Sequence, residues 1–103
     1  MSAYRLHPDV LSDLDEIWTY IATDNMEAAN RVIENILDAL DGLSLTPFKG
    51  HRRSDLTSRP IRFIRAYDYL IAYDPGEKPL VVLAVLHGRR NPRIMAAVLR
   101  RRG

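Results

Sequence analysis

The chain has 103 residues, which is room for one domain around one hydrophobic core. At 47% hydrophobic and 27% charged it has a globular composition, and with no cysteine it carries neither a disulfide framework nor a thiolate metal site. The net charge of +2 hides an uneven distribution: residues 1–43 hold 2 basic and 9 acidic side chains, residues 44–103 hold 13 basic and 4 acidic.

Ala3 to Leu6 reads as a short first strand. Pro8 suits the first position of a helix, where its missing N–H costs nothing. Val10, Leu11, Leu14, Ile17, Trp18 and Ile21 then recur at helical spacing, predicting an amphipathic helix over residues 8–22. Thr23-Asp24-Asn25 is a polar break with N-cap candidates, too short for anything but a helical hairpin. The second helix carries its stripe on Ala29, Val32, Ile33, Ile36, Leu37, Leu40 and Leu43, and Asp41-Gly42 followed by Pro47 should end it.

Residues 47–60 are rich in Gly, Pro, Ser and Arg and read as a loop. Beyond them the period changes to that of strands. Ile61 to Ala66, Tyr69 to Tyr73 and Leu80 to Leu86 predict a three-stranded antiparallel meander. The last of these is apolar on both faces, with Leu80, Val82, Ala84 and Leu86 alternating against Val81, Leu83 and Val85. Both faces therefore need cover, one from the helical hairpin and the other from the C-terminal segment or a partner. Asn91-Pro92 resembles an N-cap and first helical position, opening a short basic helix through Ile94, Met95, Val98 and Leu99. With so few apolar residues to bury, that helix should be dispensable for the core. The expected fold is α+β, a single domain over 1–103 with an N-terminal helical hairpin packed on a small, mainly antiparallel sheet in the order β-α-α-β-β-β-α.

The basic half is the expected recognition half. Its cations are nearly all arginine, which suits bidentate contacts to carboxylate or phosphate. The three histidines, His7, His51 and His87, are scattered, so neither a metal site nor a cofactor is expected. The N-terminus lacks the apolar run of a signal peptide and no stretch approaches the roughly 18 apolar residues of a membrane span, so the expected location is the cytoplasm, with no membrane partner.

In their order and separations, several stretches carry a family resemblance. DLDEIWTYIATDNMEAANRVIENILDALDGL resembles the first helical hairpin of ParE-type toxins, and RFIRAYDYLIAYD with VLAVLHGRRNP resembles the same family's sheet and its His-x-Arg-Arg terminus. The resemblance, to the ParE branch of the RelE/ParE family, implies a type II toxin neutralised by a cognate antitoxin, a ParD-like small DNA-binding protein. It implies DNA gyrase as the target if the chain follows the ParE branch, and ribosome-dependent cleavage of messenger RNA if it follows the RelE branch. A non-toxic remnant kept for antitoxin binding is a third possibility. No sequence-specific nucleic-acid binding is expected.

Fold alone does not separate the branches. Ribonuclease members resemble one another in placing lysines or arginines on the central strands and a tyrosine or histidine near the C-terminus. Here Leu70 stands where that pattern has arginine, and the C-terminal position falls in or near Ile94-Met95. Two catalytic slots are thus apolar, which favours a toxin that binds over one that cleaves. No catalytic residue is assigned; His87 is the one weak candidate, more readily read as a histidine shaping the turn at a strand end. Arg89, Arg90 and Arg93 are the expected target-binding residues. The expected partner-binding set is Trp18, Tyr20, Arg62, Arg65, Leu83 and Val85. Within it, Trp18 lies on the apolar stripe and is read first as core, and strand alternation puts Arg62 and Arg65 on opposite faces, so one of the two belongs to the basic surface.

Overall fold

A computed structural model describes residues 4–103. Its elements are β1 (Tyr4–Leu6), α1 (Pro8–Ala22), α2 (Met26–Leu43), β2 (His51–Arg52), β3 (Arg62–Ala66), β4 (Tyr69–Asp74), β5 (Leu80–His87) and α3 (Pro92–Arg101). The five strands form one sheet in the order β1-β5-β4-β3-β2. The α+β class, the hairpin-then-sheet order and the mainly antiparallel sheet are as expected, and the structure adds two details. The first strand lies parallel to β5, Tyr4 opposite Leu80, which makes the sheet mixed. The loop of residues 47–60 contributes a two-residue strand, His51 and Arg52 pairing with Phe63 and Arg62. Ala3 lies outside the described residues.

The hairpin follows from its caps. Pro8 opens α1, and the His7 imidazole Nδ1 accepts the Asp9 N–H at 3.1 Å. Asn25 caps α2 by accepting the Ala28 N–H at 2.9 Å. No left-handed glycine closes α2: the helix runs through Gly42 to Leu43, and Ser44 ends it in helical backbone. The buried face of α1 is Val10, Asp13 and Ile17, so the expected stripe is rotated and Leu11 is 63% exposed. Trp18 is half-buried, not core; its indole N–H donates to Asn30 Oδ1 at 2.8 Å and ties α1 to α2.

Two apolar layers sandwich the sheet. Ile36, Leu40 and Leu43 of the hairpin pack on Ile71, Tyr73, Val82 and Val85. On the opposite face Met95, Val98 and Leu99 of α3 pack on Phe63, Leu83, Ala84 and Leu86. The C-terminal helix is therefore a structural layer and not a dispensable appendage. Simple alternation along β5 fails at one point: Ala72 pairs with Ala84 but Tyr73 with Val82, so Leu83 is an extra residue, a bulge. It reverses the parity of everything after it. Val85 joins Leu80 and Val82 under the hairpin, while Leu83, Ala84 and Leu86 all lie under α3.

Where β1 ends, side chains continue its work. The backbone of His7 makes the last bond from that segment, donating to Val82 O at 2.8 Å. Beyond it, Asp13 Oδ2 accepts the Val85 N–H at 3.0 Å and Arg102 Nη1 donates to Leu83 O at 3.0 Å. The two side chains are themselves joined in a bidentate pair, 2.6 Å and 2.9 Å long, with Asp13 6% exposed. An acceptor and a donor thus replace a missing strand, and the charge of each is neutralised by the other. Arg59 completes this end by donating to Leu99 O at 2.8 Å and Arg102 O at 3.3 Å, carbonyls that the last turn of α3 leaves free.

Candidate interaction site

The turn after β5 is built from a histidine and a glycine. His87 Nδ1 accepts the Arg89 N–H at 3.0 Å, and the His87 carbonyl accepts the Arg90 N–H at 3.1 Å. Gly88 donates its N–H to Asp68 O in the β3–β4 turn at 2.6 Å. A Cβ at Gly88 would lie 2.8 Å from Arg65 Nη1 and 3.1 Å from Asp68 O, so glycine is what lets the Arg65 guanidinium lie against this backbone. Asn91 then accepts the Arg93 N–H at 2.9 Å and starts α3. Arg89, Arg90 and Arg93 are all exposed, and none has an ion-pair partner among the described residues.

Two hollows meet at His87 and Arg90. One is a shallow groove of about 460 Å³ between α1 and the end of β5, lined by Ile17, Tyr20, Tyr69 and Val85 and rimmed by Asp13 and Glu16. The other is a crevice on the α3 face, where His87 and Arg90 stand with Arg53, Arg65, Leu70 and Met95. The His87 ring meets Tyr69 edge-on, with centroids 5.3 Å apart and planes at 76°. Burial pushes the Tyr69 hydroxyl above its ordinary pKa, with the charge of Asp68 and then Tyr20 adding to the effect.

The residues expected to meet a partner are distributed as follows. Tyr20 is 81% exposed at the mouth of the groove. Arg65 is exposed on the α3 face, in the crevice. Arg62 is elsewhere, as alternation requires: it donates to Gly50 O at 2.7 Å and Phe48 O at 3.3 Å and sits 5.3 Å over the Phe48 ring, holding a loop. Leu83 and Val85 are corrected by the structure: they are 4% and 1% exposed, Leu83 under α3 and Val85 under the hairpin, because the chain itself covers both faces of β5. Trp18 is the hairpin's internal tie already described.

Arg102 is the residue that the sequence pattern hides. Arg100, Arg101 and Arg102 form one run, yet only Arg102 is drawn inward, where its hydrogen bonds to Asp13 raise its pKa further, outweighing desolvation. Asp13 likewise looks like one more acid on a solvated helix face. Among the described residues no three or more His, Cys, Asp or Glu side chains gather as a metal set, and no helix is long and apolar enough to cross a membrane.

The family model described as the ParE toxin of the type II toxin–antitoxin system parDE matches residues 4–92 of the chain. No curated protein matches it.

Proposed function

The chain belongs to the ParE toxin family of type II toxin–antitoxin systems, and from that premise we propose that it is a binding toxin, acting on DNA gyrase through Arg89, Arg90 and Arg93 and held inactive by a cognate antitoxin. The observation that carries this reading is the make-up of the crevice that Arg90 lines, at the turn carrying those arginines. Cleaving RNA by attack of a 2′-hydroxyl needs one group to take that proton and a second to protonate the leaving oxygen. His87 is the one histidine or acid lining the crevice, and Leu70 and Met95 occupy its floor. His51 lines the adjoining trough and not this crevice. Ile94 is 40% exposed at the first turn of α3 and offers no proton-transferring group either. What remains is Arg65 and Arg90, which have no ion-pair partner among the described residues, beside an Arg53 held by Asp55, the composition of a contact surface.

A second reading, a ribosome-dependent endoribonuclease, draws on the same crevice, since Arg65 and Arg90 would stabilise phosphorane charge beside His87. The test is a gyrase supercoiling assay beside a translating-ribosome assay. Replacing Arg89, Arg90 and Arg93 together with alanine should leave the protein folded and abolish inhibition of supercoiling; each desolvated contact of about 1.5 kcal/mol is worth roughly tenfold. His87→Ala should remain inhibitory. Codon-specific cleavage that disappears with His87→Ala would establish the nuclease instead.

A further inference from the structure

The outer side of the sheet opposite β1 is only partly closed. β2 pairs with Arg62 and Phe63, and from Ile64 to Ala66 strand β3 is paired with β4 alone. Beside this open stretch runs a trough of about 510 Å³, between α2 at Asp38 and the loop carrying Lys49 and His51. Arg53, Arg65 and Leu70 line both this trough and the crevice that holds Arg90. Lys49, Arg65 and Arg90 have no ion-pair partner among the described residues, whereas Arg53 is held by Asp55 at 2.7 Å. Asp38 is the one carboxylate in the lining.

Unpaired strand backbone is a template for another strand. Successive side chains of an added strand face opposite sides. Here one row would meet Arg65 on the α3 face, where its cross-strand partner Leu70 and then Arg90 also lie, and the other would meet half-buried Ile64 on the hairpin face, while Lys49 lines the same trough. A nucleic-acid strand fits less well, because a run of bases needs several exposed rings to stack on and of the two rings in the trough only His51 is exposed, Phe63 being 3% exposed. We propose that this trough receives an extended segment of the antitoxin, alternating acidic and aliphatic residues, as an additional strand on the outer edge of β3. The proposal rests on the reading of the chain as an antitoxin-bound toxin and deepens it by naming the surface and the chemistry of the partner segment.

The probe is a short fluorescent peptide of alternating glutamate and valine, titrated onto the whole chain by polarisation, with a lysine–valine peptide and an oligothymidylate as competitors. Binding of the acidic peptide should weaken at least tenfold in Arg65→Glu and in Lys49→Glu, and by less than twofold in Arg101→Glu at the far end of α3. Thermal melts identify any variant that fails to fold, and two variants on different segments keep the result readable. Hydrogen exchange should slow at the amides of Ile64–Ala66 when the peptide binds, and at the same amides in a complex copurified with the antitoxin of the adjoining reading frame. Equal binding of the lysine–valine peptide, unchanged binding in both folded variants, or protection by the antitoxin confined to other strands would overturn the proposal. Tighter binding of oligothymidylate at the same residues would make the trough a nucleic-acid surface and overturn it too. Inhibition of supercoiling is measured on the same preparation: a protein that inhibits gyrase but ignores the acidic peptide overturns the trough alone, and one that takes the peptide but leaves gyrase active supports the trough and removes the gyrase reading.

Discussion

Replacing Arg102 with alanine isolates the most exposed consequence of the fold. In the native protein the Asp13 carboxylate is 6% exposed and its two oxygens receive both Arg102 nitrogens. Without Arg102 the carboxylate keeps only the Val85 N–H, and the Leu83 carbonyl loses its donor. Breaking a buried pair from one side costs about 3–5 kcal/mol, because an uncompensated charge stays behind. For a domain of this size that corresponds to a fall in Tm of roughly 15 °C or more. Arg101→Ala is the control: exposed and without an ion pair among the described residues, it should shift stability by no more than about 0.5 kcal/mol. Thermal unfolding followed by circular dichroism measures both. A cycle with Asp13→Ala adds the sign: the double variant should be less damaged than the sum of the two single ones, since it removes both charges at once. A Tm for Arg102→Ala within about 3 °C of the native value would refute the claim that this pair closes the sheet edge.

Other outcomes follow from the same packing. Leu99→Ala should cost about 2–5 kcal/mol in chemical denaturation, because Leu99 is 1% exposed in the layer under α3. Gly50→Ala should destabilise by about 1–3 kcal/mol, since a Cβ there would stand 2.7 Å from the Tyr73 hydroxyl and 2.9 Å from the Phe63 carbonyl, and backbone has to move. Burial raises the pKa of Tyr4, Tyr69 and Tyr73 above the ordinary value of 10.0. The folded state then keeps protons that the unfolded chain gives up, so this contribution to stability is fully present below pH 10 and falls as pH rises through 10 toward the folded values. A series of melts from pH 8 to 11 should show Tm dropping at the alkaline end, and a flat profile would contradict it.

The helical hairpin was legible because its signals are local: Pro8, Asn25 and the apolar spacing of α2 act within a turn or two of themselves. Asn91-Pro92 marked the start of α3 for the same reason. The bulge at Leu83 was not legible, since a run of seven apolar residues, Leu80 to Leu86, carries no alternation from which a slip of one could be read. That slip decided which side chains face which layer, and so moved Val85 from the α3 layer to the hairpin layer, while Leu83 and Val85 are both buried because each face of β5 is covered. The dispensability of α3 was misjudged because Met95, Val98 and Leu99 are few in number, while their burial depends on the sheet face they meet. In the candidate site, Arg65 and the turn arginines stand out by charge. The open stretch of β3 does not, because a strand's missing neighbour is a property of the sheet and leaves no mark in the strand's own residues.

The bond between Arg102 and Asp13 spans 89 positions of sequence. β1 waits similarly, its partner beginning only at Leu80. During synthesis α1 therefore exists for most of the time as a helix whose inward carboxylate has no counter-charge and whose neighbouring strand has nothing to pair with. Long-range contacts of this kind form late, after the loop entropy between their ends has been met. The hairpin can assemble early from its own caps, but it cannot be fastened to the sheet until nearly all of the described chain has been made. Until then the surface that α1 later shares with β5 is open, and a newborn copy differs from a finished one in what it offers to anything that binds there.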